Sequence, residues 1–169
     1  MKIAIGSDHR GFPAKEHVKR FLAQMGHEVL DCGTHSDAPT DYPDYAVPVC
    51  KTIQDGKAER GVLLCGSGIG MCMTANKMRG IRAALCHDEL TAEMSRRHND
   101  ANVLCLAGDL LGDELIRRIV EIWVRTAFEG GRHERRVKKI MKTECMEEAA
   151  PPVEPKEKPA KSPRGSRKA

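Results

Sequence analysis

"RGVLLCGSGIGMCMTANKM" (residues 60–78) runs from a short apolar stretch, through a cysteine, into a turn with glycine at 66, 68 and 70. The stretch at 60–65 reads as a buried strand and the segment near 69–78 as the helix that follows it. Working outward, the same cycle recurs on both sides. "KIAIG" (2–6) precedes "PAKEHVKRFLAQMG" (13–26), which opens on proline, closes at glycine and places Val18, Phe21, Leu22 and Met25 on one face. "HEVLDCG" (27–33) precedes a helix near 43–55, "IRAALC" (81–86) one near 88–97, and "NVLCLAG" (102–108) one near 112–127. Five strands alternating with five helices predict an α/β fold. The expected form is a Rossmann-like, doubly wound five-stranded parallel sheet with helices on both faces. A last helix at 131–147 has no strand to follow it.

Composition sets the domain organisation. A chain of 169 residues with 40% hydrophobic content suits one domain, expected over residues 1–147. The segment 148–169 changes character: from Pro151 onward it holds five of the nine prolines, no aromatic residue, and six cationic against two acidic side chains. It reads as a disordered basic tail. The formal net charge of +4 resides there, so the body is near neutral and gives no footprint for nucleic acid. The seven cysteines are scattered without a C-x-x-C pair. No apolar leader or membrane-length run is visible, and a cytoplasmic protein with reduced thiols is expected. A zinc site from Cys65, Cys72 and His98 lacks the ligand spacing of such sites, and no metal is expected.

In open α/β sheets the ligand lies outside the carboxyl ends of the strands. Ser7, Asp8 and His9 follow the first strand and Cys65 the third, while His98, Asn99 and Asp100 precede the fifth; all are expected to converge on one pocket. Spacing narrows the chemistry of the glycine turn. It has no lysine for a phosphate-binding P-loop, and its G-x-G-x-G is not the G-x-G-x-x-G of dinucleotide sites. Met71 stands where a cysteine phosphatase would need arginine. What remains is a thiol beside a turn of bare amides at a helix start, a setting that favours a thiolate and can hold an oxyanion. Taken alone, a buried structural thiol remains open, as do a thiol oxidoreductase using Cys65 and Cys72 and a regulatory sugar-phosphate sensor.

The stretches "GSDHRGFPAKE" (6–16), "DCGTHSDAPTDYPDYA" (31–46), "LLCGSGIGMCMTANKMRGIRAA" (63–84), "SRRHNDANVLCLAG" (95–108) and "FEGGRHERRVKKI" (128–140) lie in order along the chain. Together they resemble the type B ribose-5-phosphate isomerase family, which includes isomerases of galactose 6-phosphate and allose 6-phosphate. The resemblance implies an aldose–ketose isomerase that interconverts ribose 5-phosphate and ribulose 5-phosphate through an enediolate, with no cofactor. It assigns proton transfer to Cys65, ring opening to His98, sugar hydroxyls to Asp8, and the developing oxyanion to Ser67, Asn99 and the amides of Gly66, Gly68 and Gly70. His9, Arg132 and Arg136 would contact the phosphate and Tyr42 would close the wall. It further implies a homodimer, with pairing into tetramers left open, in which the last helix packs on the partner subunit and Arg132 and Arg136 serve the partner's pocket.

Two positions bear on this assignment. Some family members use a glutamate where this chain has Met71, which cannot take a proton and so favours Cys65 as base. Asp109 stands where the family carries a phosphate-contacting arginine. Either Asp109 pairs with Arg132 or Arg136, or the pocket has turned toward another aldose, such as allose 6-phosphate, galactose 6-phosphate or a free sugar.

Overall fold

Apolar side chains on each strand divide between two cores. On β3 (Arg60–Cys65), Val62 and Leu64 enter one core, while Leu63 and Cys65 enter the other. This is the period-two alternation of a sheet covered on both faces. The structure, a computed structural model, describes residues 1–147, with side chains to Glu144; the tail expected at 148–169 lies outside the described residues.

The remaining elements are β1 (Lys2–Ser7), α1 (Phe12–Gln24), β2 (Glu28–Asp31), α2 (Pro43–Gln54), α3 (Ile69–Ala75), β4 (Ala83–Leu85), α4 (Glu89–Asn99), β5 (Val103–Ala107), α5 (Asp113–Arg125) and α6 (Arg132–Glu147). All strand pairs are parallel, in the order β2-β1-β3-β5-β4. Side chains of α1, α4 and α5 fill one core, around Val18, Leu22, Ile119 and Trp123, and those of α2 and α3 fill the other, around Val49, Cys50 and Met71. The chain therefore leaves β1 and β5 toward one face and β3, between them, toward the other. That divergence opens a crevice at the carboxyl end of β3. Register brings the three exits level: Ser7 lies beside Leu64, and Cys65 beside Ala107.

Local chemistry fixes the element ends. Asp88 and Thr91 form a capping box at the start of α4, and Asp100 stops it in the left-handed conformation at φ 47°. Lys15 is fully buried, and its Nζ donates to Asp31 Oδ1 and Oδ2 at 2.7 and 2.9 Å; Lys19 adds a bond to Oδ2 at 2.8 Å. Burial pushes the Asp31 carboxyl up, but the bonds from Lys15, Lys19 and the Gly33 amide outweigh it and hold the group down at about 2.

Within its own chain α6 packs on α4, burying His133 and Val137. No helix among the described residues is long and apolar enough to cross a membrane.

Candidate active site

The exits of β1, β3 and β5 are laced together by backbone hydrogen bonds. The Asp8 amide donates to the Leu64 carbonyl at 3.2 Å, the Gly108 amide to Cys65 at 2.8 Å, and the Asp109 amide to Gly66 at 3.1 Å. A cavity of about 250 Å³ opens above them, lined by Asp8, Arg10, Tyr42, Cys65, Gly66, Ser67, Gly70, Asp109 and Leu110. Cys65 forms part of its floor, buried except for a 5% exposed remnant, and the Gly68 amide donates to its Sγ at 3.1 Å. Gly68 has φ +74°, and a Cβ there would stand 2.5 Å from the Leu85 side chain, so only glycine can make this turn. A Cβ at Gly70 would meet the Tyr42 ring at 2.7 Å, which shows how closely that ring covers the start of α3.

The polar residues after β1 are held in place. Asp8 is buried, and its Oδ1 accepts the Gly11 amide at 2.9 Å, which tightens the loop but leaves α1 without a side-chain cap. The His9 Nδ1 accepts the Thr40 amide at 3.1 Å, tying the loop to the segment before α2. Ser67 Oγ accepts the Ile69 amide at 3.4 Å.

His98, Asn99, Arg132 and Arg136 do not join this group within one chain. Helix α4 starts at the carboxyl end of β4 and returns to the amino end of the sheet before β5 begins. There the Gly61 amide, at the start of β3, donates to Asn102, and the Arg82 guanidinium, just before β4, donates to the Asn99 and Asp100 carbonyls. His98 stacks on His133 with ring centroids 4.1 Å apart and planes inclined by 1°. Its Nε2 lies 4.0 Å from Glu129, which Arg97 holds at 2.9 Å. Arg132 Nε donates to His133 Nε2 at 3.3 Å, and burial, together with the charges of His98 and Arg132, lowers the His133 imidazole below its usual range. Among the described residues neither Arg132 nor Arg136 has a carboxylate partner.

His98, Glu129 and His133 present ligand atoms within 4.8 Å of one another, the one group of described side chains that could hold a metal ion. Parallel stacked imidazoles do not converge their in-plane lone pairs on one point, and two guanidinium groups flank the cluster. The setting suits an anion better than a cation.

Two expectations change. The partner of Asp109 is neither Arg132 nor Arg136 but Arg10, in an ion pair across the cavity. Arg10 was not among the predicted site residues; its signal is a cation directly after the polar pair, Asp8 and His9, that follows β1. The Cys72 thiol turns away from the cavity, toward the Ala83 carbonyl at 3.5 Å. A hydrogen bond with Cys105 is the main influence on it and, against burial, brings it to about 7.

A parallel sheet with a thiol over a glycine turn at its switch point matches one family throughout: the Ribose/Galactose Isomerase model covers residues 3–140, and the chain belongs to that family. Ribose-5-phosphate isomerase B of Escherichia coli is 45% identical over 139 residues, spanning 82% of this chain and 93% of that protein. D-erythrulose-4-phosphate isomerase of Pectobacterium atrosepticum is 43% identical over 144 residues, 83% of this chain and 93% of its own. The solved structure of ribose-5-phosphate isomerase B from Clostridium thermocellum superposes with a TM-score of 0.86 at 45% identity, covering 87% of this chain and 99% of that one.

Proposed function

We propose that the protein interconverts ribose 5-phosphate and ribulose 5-phosphate in a homodimer whose active sites each combine the carboxyl end of one sheet with the amino end of the other. The observation that carries this reading is the Cys65 thiol in the floor of the cavity, bonded by the Gly68 amide in a turn of glycines at 66, 68 and 70. His98 of the partner subunit protonates the ring oxygen as the furanose opens. The Cys65 thiolate takes the proton from C2, the electron pair moves onto the C1 carbonyl oxygen, and the turn amides with Ser67 stabilise the charge there. Returning the proton to C1 while the C2 hydroxyl proton passes to the C1 oxygen completes the ketose, so no atom is gained or lost. Asp8 holds the sugar hydroxyls, Asn99 of the partner subunit joins the groups on the developing oxyanion, and His9, with Arg132 and Arg136 of the partner subunit, takes the phosphate end.

Two features support a composite site. The groups the chemistry needs lie at opposite ends of one sheet, and exposed apolar side chains stand in the cavity lining, Tyr42 and Leu110, and on α3 after its glycine turn, Ile69 and Met73, of the kind a second copy would cover. We further place the protein in the cytoplasm, because the six described cysteines are all free thiols. The test is a panel of ribose 5-phosphate, allose 6-phosphate, galactose 6-phosphate, tetrose phosphates and free aldoses in deuterated water. Ribose 5-phosphate should show the highest kcat/KM, with deuterium entering the sugar. Binding without exchange on every sugar would instead identify a sensor.

A further inference from the structure

We infer that Arg10 is the specificity-determining cation of the Cys65 cavity and that Asp109 is its positioning residue; this rests on the isomerase reading above. Arg10 is the only cation among the cavity-lining residues, which also include two carboxylates, Asp8 and Asp109. Asp8 is engaged by the Gly11 amide, whereas Asp109 reaches across the turn to Arg10. The pair lies directly over Gly66: a Cβ there would stand 2.7 Å from Asp109 Oδ2 and 2.9 Å from the Arg10 Cζ and Nε. The bareness of Gly66 thus makes room for a guanidinium next to the reacting thiol.

An ion pair with side chains 61% and 32% exposed contributes little to stability, so its effect lies in where it puts the guanidinium. Asp109 engages one edge of Arg10, and among the described residues no hydrogen bond satisfies the remaining N–H groups. A guanidinium with a free edge, fixed at the other by a carboxylate, is arranged to take a doubly charged oxyanion in bidentate fashion. The Asp109 amide is in turn bonded to Gly66, so the position of the pair is referenced to the same turn that carries Cys65. Arg10 lines the same cavity as Cys65, and a phosphate on C5, three carbons beyond a C2 placed over the thiol, is the dianion this inference assigns to it.

The test compares the full-length dimer carrying Arg10→Ala, Arg10→Lys, Asp109→Asn, or Arg10→Ala with Asp109→Asn. Arg10→Ala should raise KM for ribose 5-phosphate about tenfold with kcat changed less than threefold, and should weaken inorganic phosphate, as a competitive inhibitor and in calorimetry, by the same factor. Arg10→Lys should recover part of this. Asp109→Asn should raise KM when Arg10 is present and give no further rise when it is absent. A fall in kcat with KM unmoved, unchanged phosphate binding, or an equal Asp109→Asn effect in both backgrounds would overturn the inference. If the parent protein turns over no aldose phosphate, the isomerase reading fails, while calorimetric phosphate binding still decides the role of Arg10.

Discussion

The carboxyl end of the sheet gathers Asp8, Cys65, Ser67 and the glycine turn in a concave, donor-rich cavity, whereas the amino end holds His98, Arg132 and Arg136 on the outer surface of a helix pair. The first region is built from strand exits locked to one another by backbone bonds, the second from side chains of α4 and α6 with two guanidinium groups that lack carboxylate partners among the described residues. The difference teaches that a parallel sheet separates what its sequence lists together. A segment that follows a strand and one that precedes a strand emerge at opposite ends, so a single chain offers two separate groups of polar residues, which the proposed function reads as two half-sites. Under the proposed function the base and oxyanion groups reside in one half, and the ring-opening histidine and the arginine pair for the phosphate in the other.

The two ends can be separated by mutation. Cys65→Ala should give the largest effect, a loss of kcat of about a thousandfold with sugar binding largely intact, because a base acts in the transition state. Steady-state kinetics with calorimetric binding of ribose 5-phosphate check it, and near-normal turnover would remove Cys65 as base. His98→Asn should reduce turnover by about a hundredfold on a substrate that is almost all cyclic, and by much less on one supplied in open-chain form. Equal losses on the two would assign His98 another role.

A change outside both half-sites sharpens the contrast. Asp31→Asn leaves the buried Lys15 without its main counter-charge and should destabilise the fold by about 3 kcal/mol in urea unfolding, with turnover per folded molecule unchanged. The folded Asp31 carboxyl titrates at about 2, below its ordinary value. Its contribution is therefore complete above the usual carboxylate range and is lost as pH falls through that range toward 2. The asparagine variant should lose this part of the acid dependence.

The fold was largely legible because each strand and helix announces itself locally. All eleven elements fall where the alternation of apolar runs and helical spacing puts them. The edges that moved have local causes: α3 ends at Ala75 rather than near 78, where the Asn76 side chain turns back to bond Cys72 and Ala83. The strand order was not legible, since nothing in a crossover's own residues says which neighbour it reaches. The same gap hid the Arg10–Asp109 pair, whose members are 99 positions apart and meet only because β1 and β5 both flank β3. His98 was grouped with the wrong end by proximity in sequence to β5, although α4 must run back to the amino edge before that strand can begin.

The central claim is that one catalytic site needs both ends of the sheet, taken from two chains. It is tested most directly by mixing inactive Cys65→Ala and His98→Asn proteins, dissociating and reassociating the subunits, and assaying ribulose 5-phosphate formation. Random pairing makes half of the dimers mixed, and each mixed dimer has one site with both residues intact, so activity should return to about a quarter of the wild-type value. Activity no greater than the sum of the two separate variants would contradict a site shared between subunits.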